Sequence, residues 1–315
     1  MSARRPLTVL ITGSDGQLGQ ALRLRAAEAR VAGLDWLPAP RRELDITDAA
    51  AVARWLDANP VGAVINAAAY TAVDRAETEP ELAERVNAQG PRVLADACRE
   101  RGIRLLQIST DYVFDGRKGA AYAEIDVPNP LGVYGRTKLA GERAALSAPG
   151  AIVLRTGWVF SQFGHNFLKT MLRLGAERKR LSVVADQIGG PTHAPALAGA
   201  LLRMLAPLAV GGEVPGGIYH YGGAPAVTWC QFAAAIFAAA RAQGLLARAP
   251  VLESVTTADY GAVAPRPTDA RLDCTKLAGL IGPLENDWRA GLTAALAALR
   301  RGSAAAPPDQ TLASS

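Results

Sequence analysis

Cysteine is scarce in this chain: Cys98, Cys230 and Cys274 stand far apart among 315 residues. So sparse and odd a set argues against a disulfide framework and for free thiols in a reducing compartment, the cytoplasm. The three histidines, His165, His193 and His220, have no metal-ligand spacing and read as structural. No segment reaches the roughly 18 uninterrupted apolar residues of a membrane span. The Ala-rich stretch 232–241 is too short for one and reads as a buried helix. The first six residues lack the apolar region and cleavage site of a signal peptide. The net charge of +5 is scattered in pairs and short clusters, with no basic tract carrying interleaved aromatics. A small anionic molecule is therefore the expected partner, and neither nucleic acid nor a membrane is.

What is present is a regular alternation. Residues 8–12 (TVLIT) form a short apolar run rich in β-branched residues, as a buried parallel strand does. A glycine loop and a helical stretch over 17–30 follow. Strand candidates recur at 33–39, 62–69, 104–109 and 151–156, separated by helical patterns at 49–58, 80–101 and 134–146. Thr47 or Asp48 is placed to cap the helix 49–58. This order predicts an α/β fold: a Rossmann-type doubly wound parallel sheet with a smaller C-terminal substrate-binding lobe. The expected division is a dinucleotide-binding domain over 1–156 and a mainly substrate-binding lobe over 157–300. Part of 215–260, beginning with the strand candidate GIYHY, returns to the first domain. The segment 302–315 lacks apolar periodicity and reads as a disordered tail.

Gly13, Gly16 and Gly19 form G-x-x-G-x-x-G directly after the first strand, with Gln17 and Leu18 opening the helix. A helix N-terminus offers free N–H groups to a pyrophosphate, and glycine lets backbone approach it closely. The pattern alone often marks only a structural turn. Its place in a first β-α-β unit favours dinucleotide binding, and its spacing is that of extended short-chain dehydrogenase/reductases. The second strand ends in Pro38–Ala39–Pro40–Arg41–Arg42, without the acid that holds an NAD ribose. Arg41 suits a 2′-phosphate, so NADPH is the expected reductant and NADH the alternative. Asp45 and Ile46 are candidates for the adenine edge. Asn66, Ala67, Ala68 and Ala69 end the third strand with side chains small enough to let a cofactor lie on the sheet.

Tyr134 and Lys138 lie four residues apart in a helical stretch, hence on one face. An ammonium beside a phenol lowers the phenol's pKa, preparing it to exchange a proton with a carbonyl oxygen. Ser109–Thr110–Asp111 ends the preceding strand, where Thr110 can hydrogen-bond that same oxygen. The spacing Tyr-x-x-x-Lys arises often by chance; its position downstream of the glycine loop gives it meaning.

Longer motifs are more specific: NAAAYTAVD at 66–74, STDYVFDG at 109–116, RTGWV at 155–159, DQIGGPT at 186–192 and RPTDARL at 266–272. With these the chain resembles the dTDP-4-dehydrorhamnose reductases over about residues 7–296. The resemblance implies reduction of the 4-keto group of dTDP-4-dehydro-L-rhamnose with NADPH or NADH. It implies Tyr134 as proton donor, Lys138 as its partner, Thr110 and Asp111 near the reacting carbons and Trp158 as a wall for the sugar. It also implies Asp186 and Gln187 beside the substrate and Arg266 on the nucleotide diphosphate. Two departures stand out. Ala270 replaces a serine of many members. Ala21 and Pro195 stand where some members carry acids for a magnesium ion at a subunit contact, so no metal is expected and a metal-free homodimer stays open. Two other kinds of protein compete. One is a nucleotide-sugar dehydratase or epimerase; Asp111–Tyr112 after Thr110 and the missing acid after the second strand argue against it. The other is a non-catalytic subunit resembling the partner of methionine adenosyltransferase, which has no need of Tyr134 and Lys138.

Overall fold

The computed structural model describes residues 6–29 and 33–305. Five strands follow the expected rhythm: β1 (Leu7–Thr12), β2 (Leu34–Ala39), β3 (Val61–Asn66), β4 (Arg104–Thr110) and β5 (Ile152–Thr156). With the strand Gly217–His220 they form one parallel sheet, ordered β2-β1-β3-β4-β5 and then Gly217–His220. Val9, Leu10, Ile11, Val64, Ile65, Leu105, Leu106 and all of β5 are buried, because helices cover both faces. One face packs on Gln17–Ala29 and Ala194–Ala209, the other on Ala49–Ala58 and Gly90–Arg101. Asp48 caps Ala49–Ala58 by accepting from the Ala51 N–H.

The expected single helix over 80–101 is interrupted. A π-helical segment, Arg85–Gln89, separates Pro80–Glu84 from Gly90–Arg101. Two local causes are visible. Pro91 has no N–H to give the ladder. Asn87 is pulled inward, its Oδ1 accepting from Tyr70 N (2.9 Å) and its Nδ2 donating to Tyr70 O (3.0 Å) and Thr137 Oγ1 (3.2 Å). The irregular turn thus fastens the loop after β3 to the helix Val133–Ala145.

A second apolar cluster holds the smaller lobe. Phe160, Leu168, Phe232, Phe237, Trp288 and Leu292 pack the helices Phe167–Glu177, Trp229–Ala242 and Trp288–Ala305 together. The parallel pair Arg180–Val184 and Val251–Val255 closes this lobe. The helix Trp288–Ala305 runs through residues 302–305, where the sequence reads as tail; residues 306–315 lie outside the described residues. The helix Ala194–Ala209, within the range read as mainly substrate-binding lobe, packs its apolar face on the main sheet. Among the described residues no helix is long and apolar enough to cross a membrane.

Candidate active site

β1 leads outward to β2, and the chain then returns to build β3 on the opposite side. The carboxyl ends of β1 and β3 therefore flank the switch point, the place where ligands bind in such sheets. Side-chain hydrogen bonds lace these ends together. Thr12 Oγ1 donates to Asn66 Oδ1 (2.6 Å), and Asn66 Nδ2 donates to Gln107 Oε1 (2.7 Å). Gly13 takes φ +63°, and a Cβ there would lie 2.7 Å from Ala68 Cα. At Gly19 a Cβ would stand 2.5 Å from Gly13 O and from Ser14 Cα. Two of the three glycines are thus required by close approach, which brings the first turn of Gln17–Ala29 down onto the loop. Its free N–H groups stand ready for an anion.

Two adjoining cavities run along the sheet edge from this loop. The first, about 460 Å³, is lined by Gly13, Gly16, Arg41, Asp45, Ile46 and Ala67–Ala69, among others. Arg42 is engaged by Asp15 (2.8 Å) and Glu43 (3.2 Å), whereas among the described residues Arg41 has only Asp45, at 4.0 Å, and is 77 % exposed. Asp45 accepts from the Thr47 N–H and hydroxyl, and chiefly the backbone bond holds its carboxyl below the usual range. Ile46 is buried against Gly90.

The second cavity, about 590 Å³, shares Asp15, Gly16 and Ala67–Ala69 with the first. Thr110, Asp111, Tyr134, Lys138 and Trp158 all line it. Gly135 and Gly141 leave no room for a Cβ against Tyr112 O and Asn87 O, so the helix carrying Tyr134 sits tight on its neighbours. The Tyr134 ring meets Tyr112 edge-on at 5.7 Å.

The electrostatics correct one expectation. The Tyr134 phenol is not acidified by the protein's own groups. Burial pushes it up to about 12; Thr110 offsets part of this by hydrogen bonding and Asp111 adds to it. Lys138 Nζ donates to Ile108 O (2.6 Å), and burial lowers the ammonium to about 8. A phenol with that pKa carries its proton at neutral pH, as a donor must. Burial also raises Asp111 to about 7. Its carboxyl accepts from Thr110 Oγ1 (2.9 Å) and leaves no space for a side chain at Gly157.

Trp158 adopts φ +51°, an uncommon conformation for so large a side chain. Its ring stacks on Trp229, 3.5 Å between centroids, and Gly189 leaves room for it. Trp229, His165, Asn166 and Thr156 also face the cavity, none of them singled out by sequence. His165, read as structural, is one of the residues of this wall. Trp229 opens a helix with a capping box at Thr228 and Gln231, a signal that predicts a helix start and no function.

Three expected site residues stand outside the second cavity, and a fourth, Gln17, lines it with its amide already bonded. Gln17 lines the second cavity, yet its amide is taken up by the lobe: Nε2 donates to Val159 O (3.2 Å), and Oε1 accepts from Ser161 Oγ (2.9 Å) and Asn166 Nδ2 (2.8 Å). Asp186 accepts from the Thr257 N–H and hydroxyl, and Gln187 Nε2 donates to that same hydroxyl (3.0 Å). Arg266 donates to Asp74 Oδ2 (2.7 Å) and Ala264 O (3.2 Å), behind Tyr112. Asp186, Gln187 and Arg266 stand outside the wall of the second cavity. Ala270 is buried and lines a cavity of about 160 Å³ on the other side of Asp111 and Gly157. Ala21 and Pro195 are buried too, and among the described residues no three His, Cys, Asp or Glu side chains group for a metal ion.

A parallel sheet with a glycine loop at its switch point, a Tyr-x-x-x-Lys helix beyond β4 and an appended lobe define an oxidoreductase of the extended short-chain dehydrogenase/reductase class. A family profile described as RmlD substrate binding domain matches residues 7–301. The chain is 45 % identical over 288 residues to dTDP-4-dehydrorhamnose reductase of Aggregatibacter actinomycetemcomitans, covering 90 % of this chain and 96 % of that one. It is 42 % identical over 304 residues to the Mycobacterium tuberculosis reductase, covering 94 % of each. The crystal structure of the Bacillus anthracis reductase in complex with NADP superposes with a TM-score of 0.84 at 34 % identity, covering 93 % of this chain and 99 % of that one. The chain belongs to the dTDP-4-dehydrorhamnose reductase family.

Proposed function

We propose that the chain reduces the 4-keto group of dTDP-4-dehydro-β-L-rhamnose to dTDP-L-rhamnose with NADPH, the last step in making this sugar nucleotide. The observation that carries the reading is the continuous trough from Arg41 past the helix N-terminus to Tyr134, Lys138 and Thr110. Its shape and donors fit a dinucleotide: a cation at one end, free N–H groups in the middle, small alanines along the floor. When bound, NADPH supplies the hydride that C4 of the sugar gains.

The remaining work falls to side chains. Negative charge builds on the ketone oxygen as the C=O π bond breaks. Tyr134, held protonated by burial, gives that oxygen its proton. The Thr110 hydroxyl, fixed beside Tyr134 and Asp111, steadies the oxygen by hydrogen bonding. Lys138 stands four residues along the same helix as the neighbouring proton source, and the Trp158–Trp229 stack walls the sugar from water. Arg266 reaches the diphosphate by exchanging its Asp74 partner for phosphate oxygens. Asp186 and Gln187 act from outside the cavity by holding Thr257 in place.

The test is purified chain, NADPH and freshly made dTDP-4-dehydro-β-L-rhamnose. Loss of nicotinamide absorbance with formation of dTDP-L-rhamnose is the expected result. Cofactor binding without turnover would favour the binding-subunit reading.

Arg41 is assigned to the 2′-phosphate. Arg41→Ala is expected to lower kcat/KM with NADPH about tenfold or more, the scale of one hydrogen bond between charged partners. Activity with NADH should change little. Equal losses with both cofactors would remove the assignment.

A further inference from the structure

Behind the reactive face lies a polar cluster that the chemistry above does not use. Glu142 and Arg155 are each about 1 % exposed. Arg155 grips the carboxylate with two donors, Nε to Oε1 (2.9 Å) and one terminal nitrogen to Oε2 (2.7 Å). Ser109 Oγ adds a third hydrogen bond to Oε1 (2.5 Å). His220 Nε2 stands 3.5 Å from Arg155, and its Nδ1 is 3.0 Å from Tyr122 O. The Phe114 ring covers the guanidinium at 5.0 Å.

Burying such a pair is costly, and well-packed apolar residues usually serve a fold as well or better. Its location explains what the charges do. Glu142 is four residues beyond Lys138 on the helix Val133–Ala145, so the two share a face. Lys138 is 3 % exposed, and among the described residues the one acceptor its ammonium contacts is Ile108 O, a neutral carbonyl. Asp111, raised to about 7 by burial, spends its carboxylate on the Thr110 hydroxyl, and the charge that acts on Lys138 is that of Glu142.

We propose that the buried Glu142–Arg155 pair is a positioning element for the reaction, in which the Glu142 carboxylate keeps the Lys138 ammonium charged and seated on Ile108 O. Arg155 and Ser109 fix the carboxylate's orientation through their three hydrogen bonds to it. The inference rests on the reductase reading for its catalytic consequence. The other groups around Lys138 are Tyr134 on its own helix, Asp111 and Tyr112 on the turn after β4, and His220 behind Arg155. His220 is neutral at working pH, since burial and Arg155 lower it to about 4. On the segments packed against the opposite side, Glu77 accepts from the Val133 N–H and Glu81, Glu84 and Arg85 face solvent.

The sign follows from the cause. Burial pulls the Lys138 ammonium down and Glu142 pulls it up, for a net value of about 8. Without Glu142's charge the proton leaves at lower pH. In Glu142→Gln the alkaline limb of the kcat profile is therefore expected to move down by about one pH unit, a tenfold deficit on that limb that closes as the pH falls. Because Glu142→Gln leaves Arg155 unpaired and can impair folding, the companion is Glu142→Leu with Arg155→Met. This double variant removes both charges together; it should fold and show the limb displaced in the same direction but by less, because the repelling Arg155 cation is gone as well. NMR titration of the Lys138 side chain, in the parent and both variants, should show a midpoint lowered in both variants, more in Glu142→Gln, with no turnover required. A limb and midpoint unmoved in the double variant, or a loss uniform across pH, would overturn the proposal. A parent that titrates normally but turns over no sugar would instead overturn the reductase reading.

Discussion

Tyr134→Phe is expected to cut kcat about 10²–10⁴-fold, the usual worth of a placed general acid. The substitution removes one oxygen and leaves the ring edge-on to Tyr112, so the fold and the cofactor trough should persist. NADPH binding should therefore stay within a few-fold of the parent. The two readouts together decide the point. A parallel loss of binding and turnover would mean that the phenol supports the cofactor; near-normal turnover would mean that the proton comes from another group. Burial keeps Tyr134 protonated up to about pH 12, so the phenol itself sets no limit to activity near neutrality. Any alkaline decline there has to come from a group that titrates lower, and Lys138, at about 8, is such a group.

Gly13→Ala is expected to damage the other end of the machinery at least as severely. A left-handed residue with a Cβ costs about 1–2 kcal/mol. The added carbon would also lie 2.7 Å from Ala68 Cα and N, both backbone atoms that cannot swing aside. Relief requires the ends of β1 and β3 to part, straining the Thr12–Asn66–Gln107 hydrogen bonds. The sum is about 3 kcal/mol or more of stability. A lowered Tm and at least a tenfold weaker affinity for NADPH should appear together. Tight cofactor binding at an unchanged Tm would show that the loop tolerates a side chain and that this account of its glycines is wrong.

The sequence spoke most clearly where a short segment meets a single demand. β1 and β5 are legible because strands buried on both faces must be apolar throughout. Gly13 and Gly19 are legible because their spacing reflects backbone approach within one loop. Tyr134 and Lys138 are legible because four residues is one helical turn. Legibility fails where a residue's partner lies far along the chain. Gln17 looks like part of the phosphate loop, yet its partners are Val159, Ser161 and Asn166, more than 140 residues away. Glu142 and Arg155 lie on separate elements, and neither position alone announces an ion pair. The π-helical turn at Arg85–Gln89 answers to Tyr70 and Thr137, and the periodicity of its own helix gives no hint of it. The phenol's pKa is hidden from the sequence for a related reason: pairwise spacing shows which ammonium is near, whereas the depth of burial is a property of the assembled fold.

The amide of Gln17 gives the molecule a mechanical link between its halves. The first turn of the helix Gln17–Ala29 is tied to the 159–166 stretch by the three hydrogen bonds of this one side chain. That stretch begins next to Trp158 and runs up to Phe167, where a helix of the smaller lobe begins. One amide therefore spans the interval between the glycine loop and the stretch that leads from Trp158 into the smaller lobe.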